Sequence, residues 1–322
     1  SNYFRCCGNF VRTPCTTWVV GLNNSRQSFT LSNTIFHFQK ERRLSMATTQ
    51  DDLTAEVIAS FSKTSDPRLK EIMESLVKHL HAFAKEVHLT DEEWFAGIKF
   101  LTDSGDMCSE VRQEFILLSD TLGLSSLVDL INHSKGNDLA TEPTILGPFH
   151  IQNSPFMKYG DSIIQRSLTE GEPATVRGRV LDIHGKAIAG AVIDVWQTDA
   201  NGLYDIQEST EVSGNLRGRF TSEADGTYEF QTIRPVPYPI PNDGPVGKML
   251  RSVNRHEWRA AHIHAIVEAT GFRSVTTHIF DKESKYLDSD TVFGVKGSLI
   301  KTFEKQADGH LLLNHDFVLV QA

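Results

Sequence analysis

The spacing of apolar residues changes partway along the chain, and this change limits the possible folds more than any other feature. Before about residue 133, Leu69, Ile72, Leu76 and Leu80 recur every three or four positions, which predicts amphipathic helices. From about residue 172, apolar and polar residues alternate, as in the run 174–181, which predicts strands with one buried face. We therefore expect a helical N-terminal domain followed by an all-β sandwich.

Local signals indicate where the predicted elements begin and end. Asp66-Pro67 is a capping residue followed by proline in the first turn, and Thr90 is a hydroxyl cap followed by acidic residues. Asp225-Gly226 predicts a hairpin between two short apolar runs. Further helices are expected at 109–122 and 124–131, and strands at 174–181, 191–197, 219–220, 228–230, 262–267, 274–280 and 317–320. Many short strands separated by turns are typical of a sandwich.

Residues 1–45 differ in composition from the rest of the chain. They contain the basic residues Arg5, Arg12, Arg26, Lys40, Arg42 and Arg43 but only one acidic residue, Glu41. This segment is either a mitochondrial-type transit peptide or an extension upstream of Met46, and its weak amphipathic pattern favours the extension. We expect it to be dispensable for catalysis. The predicted domains are the extension 1–45, a helical linker and dimerisation domain 46–134, and a β-sandwich catalytic domain 135–322.

Charge and cysteine content narrow the possible functions. The net charge of −9 argues against a nucleic-acid partner, because phosphate binding needs a basic face. No apolar run reaches the roughly 20 residues of a membrane span, so none is expected. Beyond residue 15 the only cysteine is Cys108, which cannot form an internal disulfide. These features predict a cytoplasmic protein, or a mitochondrial one if residues 1–45 are a genuine transit peptide.

Two tyrosines and two histidines are the strongest candidates for chemistry. His262 and His264 are two residues apart on a predicted strand, so both imidazoles point to one side and can bind one ion. Tyr204 and Tyr238 lie in loops rich in glycine or proline, which we expect to project over one end of the sandwich. Each feature alone has a simpler explanation, because such histidines are often surface or packing residues and loop tyrosines are often packed aromatics.

Taken together, the stretches that contain these residues resemble the intradiol ring-cleavage dioxygenases. The matching stretches are GPFH at 147–150, DVWQTDANGLY at 194–204, LRGRF at 216–220, the Tyr238 loop, WRAAHIH at 258–264 and TTHIF at 276–280. The resemblance covers most of residues 95–300. Within the family, the stretches 146–149, 238–241 and 290–296 are most similar to hydroxyquinol 1,2-dioxygenases, and catechol 1,2-dioxygenases are the alternative.

The resemblance implies one iron(III) per chain, bound by Tyr204, Tyr238, His262 and His264. This set suits ferric iron, because two phenolates and a hydroxide cancel its charge and neutral imidazoles fill the other positions. The resemblance also implies that Tyr238 accepts a substrate proton and that Arg259 stabilises negative charge on the ring. The simpler alternative for Arg259 is a surface or interface ion pair.

The substrate pocket is also implied by the resemblance. Its predicted lining is Leu117, Asp120, Ile145, Leu146, Gly147, Pro148, Phe149, Ile240, Pro241 and Val292. We expect Asp120 to accept a hydrogen bond from a third substrate hydroxyl, unless it caps the turn at Gly123 or faces solvent. His278 is a further catalytic candidate whose role stays open, because bacterial catechol enzymes of the family usually have glutamine there.

The expected partners are an aromatic diol or triol, dioxygen and a second copy of the chain. The resemblance implies a homodimer through the N-terminal helices, often with a lipid between the subunits. Alternatively, the apolar faces of these helices pack on the chain's own sandwich. A non-catalytic β-sandwich binding module is the competing class of function, and the red-brown colour of iron-bound tyrosinate would distinguish the two.

Overall fold

The computed structural model describes residues 49–109, 112–133, 139–165, 170–207 and 214–322, so the predicted extension 1–45 lies outside the described residues. Helices precede a mostly β region, as the change in spacing predicts. The helices are α1 (Gln50–Ser60), α2 (Pro67–Glu86), α3 (Asp91–Asp106), α4 (Glu114–Thr121), α5 (Leu124–His133) and α6 (Pro245–Ser252). None of the helices in the described ranges is long and apolar enough to cross a membrane.

Twelve strands follow in the described part of the chain. They are β1 (Pro173–Asp182), β2 (Val192–Trp196), β3 (Arg217–Thr221), β4 (Thr227–Ile233), β5 (Tyr238–Pro239), β6 (Trp258–Arg259), β7 (His262–Glu268), β8 (Val275–Asp281), β9 (Ile300–Lys301), β10 (Glu304–Lys305), β11 (Leu311–Asn314) and β12 (Phe317–Leu319).

The described residues divide into two compact units, one that ends at Val87 and one that begins at His88. In the first unit, α1 packs against α2, and Lys85 Nζ lies 2.8 Å from a carboxylate oxygen of Asp51. The second unit contains α3 to α6 and all the strands listed above. The domain limits 46–134 and 135–322 stay predictions.

The capping signals give the correct starts for two helices. Asp66 accepts hydrogen bonds from backbone amides at the start of α2, and Thr90 forms a reciprocal capping box with Glu93 at the start of α3. The helix expected at 109–122 instead starts at Glu114. Ser109 closes a local turn by accepting a hydrogen bond from the Arg112 backbone, and the buried Glu114 carboxylate accepts one from Val246 N at 3.1 Å. This distant contact helps to fix the start of α4.

Two five-stranded sheets form the sandwich. One has the order β10-β11-β1-β12 with β4 also paired to β1, and the other has the order β3-β2-β7-β8-β9. Val176 and Phe230 of the first sheet belong to the same buried apolar cluster as Ile193, Ile263 and Ile279 of the second. The core therefore lies between the two sheets, which is the predicted fold class.

The hairpin predicted at Asp225-Gly226 is wrong in its pairing but correct in its turn. Gly226 N donates to Glu223 O, and Glu223 N donates to Thr227 O, so the chain does reverse there. However, β3 pairs with β2, whereas β4 pairs with β1 in the other sheet. A turn sequence specifies a reversal of direction, but the sheet in which each strand pairs depends on packing across the core.

Alternation along β7 divides its side chains between two environments. Ile263, Ala265 and Val267 point into the core between the sheets. His262 and His264 must therefore point to the outer face of the second sheet. Both histidines are nonetheless buried, because loops cover this face. His262 and His264 are the first and third residues of β7, so the pair lies near one end of that strand.

Candidate active site

Three neighbouring strands carry a row of rings across the outer face of the second sheet. Trp196 of β2 is in register with His264 of β7, which is in register with His278 of β8. The centroid of the His264 ring lies 4.6 Å from that of Trp196 and 4.2 Å from that of His278. His262 lies two residues before His264 on the same face. The sheet thus holds three buried imidazoles close together, with nitrogen atoms within 4.8 Å of one another.

The two tyrosines reach this face from separate loops. Tyr204 lies in the turn after β2, and Tyr238 lies in β5, which pairs with β6 so that Tyr238 is opposite Arg259. Gly202 allows these segments to approach closely, because a Cβ there would be 2.9 Å from Tyr238 Cβ and the backbone has a φ of +80°. The Tyr204 and Tyr238 oxygens are 3.0 Å apart as a result.

The four predicted donor atoms form a continuous chain of short contacts. The Tyr204 oxygen is 2.9 Å from His264 Nε2, which is 3.1 Å from His262 Nε2. Donors bound at about 2.0–2.1 Å to one metal ion lie roughly 3 Å apart when they are at right angles. The spacing therefore fits a single ion, and the oxygen and nitrogen donors suit a transition metal.

Hydrogen bonding prepares His262 for a metal. Its Nδ1 lies 2.6 Å from the carbonyl oxygen of Ala260, so Nδ1 carries the proton, and the lone pair of Nε2 accepts a contact from Arg259 Nη1 at 3.2 Å. Burial lowers the pKa of His262, His264 and His278 well below the ordinary value, and the Arg259 charge adds to this effect. All three imidazoles are consequently neutral, as ligand histidines must be.

Burial has the opposite effect on the tyrosines. It raises the pKa of Tyr204 well above its ordinary value, and the adjacent Tyr238 raises it further. Burial also raises the pKa of Tyr238, while Arg259 opposes this shift. Without a cation the two phenols keep their protons, so the phenolate forms need a positive charge at this position.

Arg259 is buried beside the donors and held by a carboxylate. Its Nη1 is 3.4 Å from the Tyr238 oxygen, and its Nε is 3.3 Å from Asp290. Asp290 also accepts hydrogen bonds from the Ala260 and Gly294 backbone amides. Burial lowers the pKa of Arg259, but Asp290, Tyr238 and Tyr204 outweigh it and leave the pKa raised. Arg259 is thus a fixed positive charge, and the surface alternative for it is wrong because it is only 3% exposed.

His278 has one paired and one unpaired ring nitrogen. Its Nδ1 forms a hydrogen bond with the Thr144 hydroxyl. Its Nε2 is buried and has no partner within the part of the chain that the structure describes. Since the ring is neutral, this nitrogen is available for a hydrogen bond to a bound molecule.

The predicted pocket residues fall into two groups, an apolar cluster and residues that contact the proposed donors. Leu117, Ile145, Ile240 and Val292 belong to one buried apolar cluster. Phe149 stacks on Tyr204 with ring centroids 4.5 Å apart. Gly147 lies beside His264, where an added Cβ would be 3.3 Å from the ring. Pro148 and Pro241 are partly buried, whereas Leu146 is 40% exposed and is the most accessible residue of the predicted set.

Asp120 lies on α4, three residues after Leu117, and is 3% exposed. Burial raises its pKa, while a hydrogen bond from Ser125 and the charge of Arg259 oppose the shift. The solvent-facing alternative is therefore wrong. The Gly123 amide bonds to the main-chain carbonyl of Asp120 rather than to its carboxylate. Asp120 is thus a buried carboxyl group that interacts electrostatically with Arg259.

Three residues of this region have no role in the sequence-based prediction. Asp290 holds Arg259, Thr144 holds His278, and Trp196 stacks on His264. Asp290 and Trp196 lie in matching stretches, so they were visible as motif residues without a role. Thr144 is 134 residues from His278 in the sequence and gave no local signal.

Comparison with known proteins identifies related chains. Residues 145–321 match a family model described as Dioxygenase, and residues 66–139 match one described as Catechol dioxygenase N terminus. The chain is 49% identical over 271 residues to the 6-chlorohydroxyquinol 1,2-dioxygenase of Cupriavidus pinatubonensis, which covers 84% of this chain and 97% of that protein. It is 46% identical to the hydroxyquinol 1,2-dioxygenase of a Rhizobium species, covering 86% of this chain and 100% of the relative.

A solved structure is similar over the same length. The crystal structure of the hydroxyquinol 1,2-dioxygenase from Pseudomonas putida DLL-E4 has a TM-score of 0.79 and 48% sequence identity. The match covers 85% of this chain and 99% of that one. Both the helical and the β regions are therefore similar to those of known proteins.

Proposed function

The chain belongs to the intradiol ring-cleavage dioxygenases, and from this membership we propose that it cleaves hydroxyquinol (1,2,4-trihydroxybenzene) with dioxygen between the two adjacent hydroxyls. The product is 3-hydroxymuconate, the enol form of maleylacetate, which contains both oxygen atoms of dioxygen. The observation that carries this proposal is the convergence of two tyrosine oxygens and two imidazoles, together with a buried carboxyl group, Asp120, that interacts with Arg259.

We propose one non-haem iron(III) per chain, held by Tyr204, Tyr238, His262 and His264. The family uses non-haem iron, and the spacing of these donors supports a single ion. Iron(III) is a hard cation that favours phenolate oxygen over neutral phenol, which offsets the effect of burial on the two tyrosines. When bound, it supplies a Lewis acid that holds the substrate as a catecholate and makes the ring reactive toward dioxygen.

Tyr238 and Arg259 have complementary proposed roles. Tyr238 accepts a proton from a substrate hydroxyl, since its oxygen lies at the edge of the donor set next to Arg259. Arg259 stabilises negative charge as it develops on the ring, because its guanidinium is buried and fixed by Asp290 before the substrate arrives. Neither residue has to move a charge out of water during the reaction, so little reorganisation is needed.

His278 is proposed to form a hydrogen bond to the bound ring through Nε2. Its neutral state and its contact with Thr144 support a positioning function rather than a change in charge during turnover. A catecholate oxygen accepts a hydrogen bond from His278 when Nε2 carries the proton and Nδ1 accepts one from the Thr144 hydroxyl.

Substrate choice is proposed to depend on Asp120. Asp120 already has a hydrogen bond from Ser125, and the third hydroxyl of hydroxyquinol supplies a further polar partner that catechol lacks. A buried polar atom left without its partner costs roughly 1–3 kcal/mol. The apolar cluster fits a substrate ring whose third hydroxyl faces Asp120, because its side chains can line the carbon edge of that ring. The cluster contains Leu117, Ile145, Ile240 and Val292. The pocket thus favours a triol over a diol.

The test is oxygen uptake with a panel of hydroxyquinol, catechol and substituted catechols. We expect consumption of one dioxygen per ring, a product mass increased by both oxygen atoms, and a higher kcat/KM for hydroxyquinol. A higher kcat/KM for catechol would overturn the substrate proposal but leave intradiol cleavage standing. If none of these substrates causes oxygen uptake, the proposed function as a whole is overturned.

A homodimer through the N-terminal helices is also proposed, with a lipid as a possible occupant of its interface. Apolar side chains on α2 support it, because Leu69, Ile72, Leu76, Leu80 and Phe83 are each 46–57% exposed in the single chain. The proposed compartment is the cytoplasm, which suits the reduced Cys108.

A further inference from the structure

Arg217 is a fully buried arginine in a matching stretch, and the reaction described above gives it no role. It lies on β3 and is 1% exposed. Its Nε and Nη2 contact one carboxylate oxygen of Asp205 at 2.7 and 2.6 Å, and its Nη1 donates to the Phe149 carbonyl oxygen at 2.7 Å. The other Asp205 oxygen accepts a hydrogen bond from Gly214 N at 2.7 Å.

Both residues that Arg217 bonds are connected to Tyr204, one along the chain and one by ring stacking. Asp205 is the next residue in the chain, and the Phe149 ring stacks on the Tyr204 ring with an interplanar angle of 25°. The guanidinium carbon itself lies 5.9 Å from the centroid of the Tyr204 ring. A single guanidinium therefore joins the residue that follows Tyr204 to the residue that covers its ring, and both are held in one geometry.

Stability alone is a weak explanation for this arrangement. A buried ion pair loses much of its attraction to desolvation, and apolar replacements of similar volume are often neutral or stabilising. The arrangement instead fits the support that metal ligands receive from the residues behind them.

We propose that Arg217 is a positioning residue for Tyr204, which fixes the orientation of the tyrosine ring through its bonds to Phe149 and Asp205. This inference rests on the proposed function, in which Tyr204 binds iron. It predicts two separable effects. Loss of the simultaneous bonds from the guanidinium to Asp205 and Phe149 weakens iron binding. A change of charge at position 217 or 205 alters the energy of the tyrosinate-to-iron charge-transfer band.

The first experiment compares Arg217→Lys with Arg219→Lys in the iron-loaded protein. Lysine keeps the positive charge but cannot bond Asp205 and Phe149 together in a fork. Arg219 is a matched control on the same strand, where it donates to Ser154 and lies over the Phe156 ring. We expect Arg217→Lys to lower iron affinity about 10–100-fold, measured by competition with a chelator, and Arg219→Lys to leave it unchanged.

The second experiment isolates charge by comparing Asp205→Asn with the double variant Arg217→Met/Asp205→Asn. Both lack the carboxylate, so they differ only at position 217, and neither leaves a buried carboxylate unpaired. The charge-transfer band arises when an electron moves from the phenolate to iron, so a more stable phenolate raises the energy of that transition. We expect the band of Asp205→Asn to lie at shorter wavelength than that of the wild type, and the band of the double variant to lie at longer wavelength than that of Asp205→Asn.

The outcomes separate this inference from the function on which it rests. If the wild type shows the band but Arg217→Lys retains full iron affinity and the two charge variants absorb at the same wavelength, only the role of Arg217 is overturned. A wild type without bound iron and without the band would overturn the iron site and this inference together.

Discussion

Helix α2 leaves large apolar side chains exposed, whereas the outer face of the sheet β3-β2-β7-β8-β9 buries polar ones. Leu76 and Leu80 are 53% and 57% exposed, while His262 and His264 are each 2% exposed. Exposed apolar patches and buried polar groups are the two informative departures from ordinary burial. Each fits one of the proposed partners, a second copy of the chain for the first region and an iron ion with its substrate for the second.

The two departures have different energetic consequences. An exposed apolar face loses only the favourable free energy of burial, so the chain can fold before its partner binds. A buried donor without a partner costs free energy within the fold itself. We therefore expect substitutions on the sheet face to affect function strongly and substitutions on α2 to affect assembly alone.

The largest effect is expected at the proposed ligands. His262→Ala and His264→Ala should each lose iron and colour together, because each removes one of four donors. His278→Gln is the matched control, since it changes a buried imidazole in the adjacent strand that is not a proposed ligand, and it should keep its iron. Iron analysis and the absorption spectrum measure both. A His262→Ala/His264→Ala variant with full iron content would contradict the assignment.

The next effect is expected at the fixed positive charge. Arg259→Lys keeps the charge but loses the planar group that bonds Asp290 and lies 3.4 Å from Tyr238. We expect kcat to fall about 10²–10³-fold with iron content unchanged, measured by steady-state oxygen uptake. Arg255→Lys is the control, because Arg255 bonds the carbonyl oxygens of Thr121 and Thr291 instead. Equal losses in both variants would mean that Arg259 has only a structural role.

A smaller effect is expected at Asp120, where it concerns specificity. Asp120→Ala removes the group proposed to bond the third hydroxyl. The ratio of kcat/KM for hydroxyquinol to that for catechol should fall at least about tenfold, which corresponds to 1.4 kcal/mol. The measurement uses both substrates with each variant, and Asp129→Ala on α5 is a control for loss of a helix carboxylate. An unchanged ratio would refute the specificity role of Asp120.

His315 is a buried polar residue of the sandwich outside the proposed site, so we expect it to affect stability and not catalysis. Burial lowers its pKa to about 3, and neither ring nitrogen has a hydrogen-bond partner in the described ranges. The unfolded chain takes up a proton near pH 6.5 but the folded chain does not, so stability is complete above pH 6.5 and is lost as pH falls toward 3. The free energy of unfolding should decrease by up to about 1.4 kcal/mol per pH unit from this residue.

Denaturant unfolding between pH 7 and pH 5 measures this contribution. His315→Leu should have a shallower dependence of unfolding free energy on pH than the wild type, while its iron content and turnover stay the same. If both proteins have the same slope, His315 is not neutral when folded, and its burial has another explanation.

The smallest effect on catalysis is expected on α2. Leu76→Glu/Leu80→Glu places charges on the exposed apolar face, so we expect the dimer to dissociate while kcat stays unchanged. Lys78→Glu introduces the same charge on the opposite side of the helix and should leave the dimer intact. Light scattering at micromolar concentration measures the mass. A wild type that is monomeric under these conditions would contradict the proposed interface.

Local sequence was sufficient for several features of the fold. The caps at Asp66 and Thr90 set the starts of α2 and α3, because a side chain that satisfies backbone amides acts within a few residues. Period-two alternation placed His262 and His264 on one side of β7 for the same kind of reason. Such features depend on backbone geometry over short distances, which the sequence specifies directly.

Features that join distant segments required the tertiary structure. The Asp225-Gly226 turn was visible, but the separation of β3 and β4 into two sheets was not. The start of α4 depends on a contact between Glu114 and Val246. In both cases a local pattern allowed several arrangements of similar energy, and packing of the whole sandwich selected one.

The same division holds for the site. The sequence by itself supplied the proposed donors, because the histidine pair and the loop tyrosines lie in stretches that resemble the family. Only the tertiary structure decided which residues support them: Asp290 behind Arg259, Thr144 beside His278, and Arg217 behind Tyr204. These partners are set by strand register and loop approach across the fold, and hydrogen bonds of that kind leave no periodic trace in the sequence.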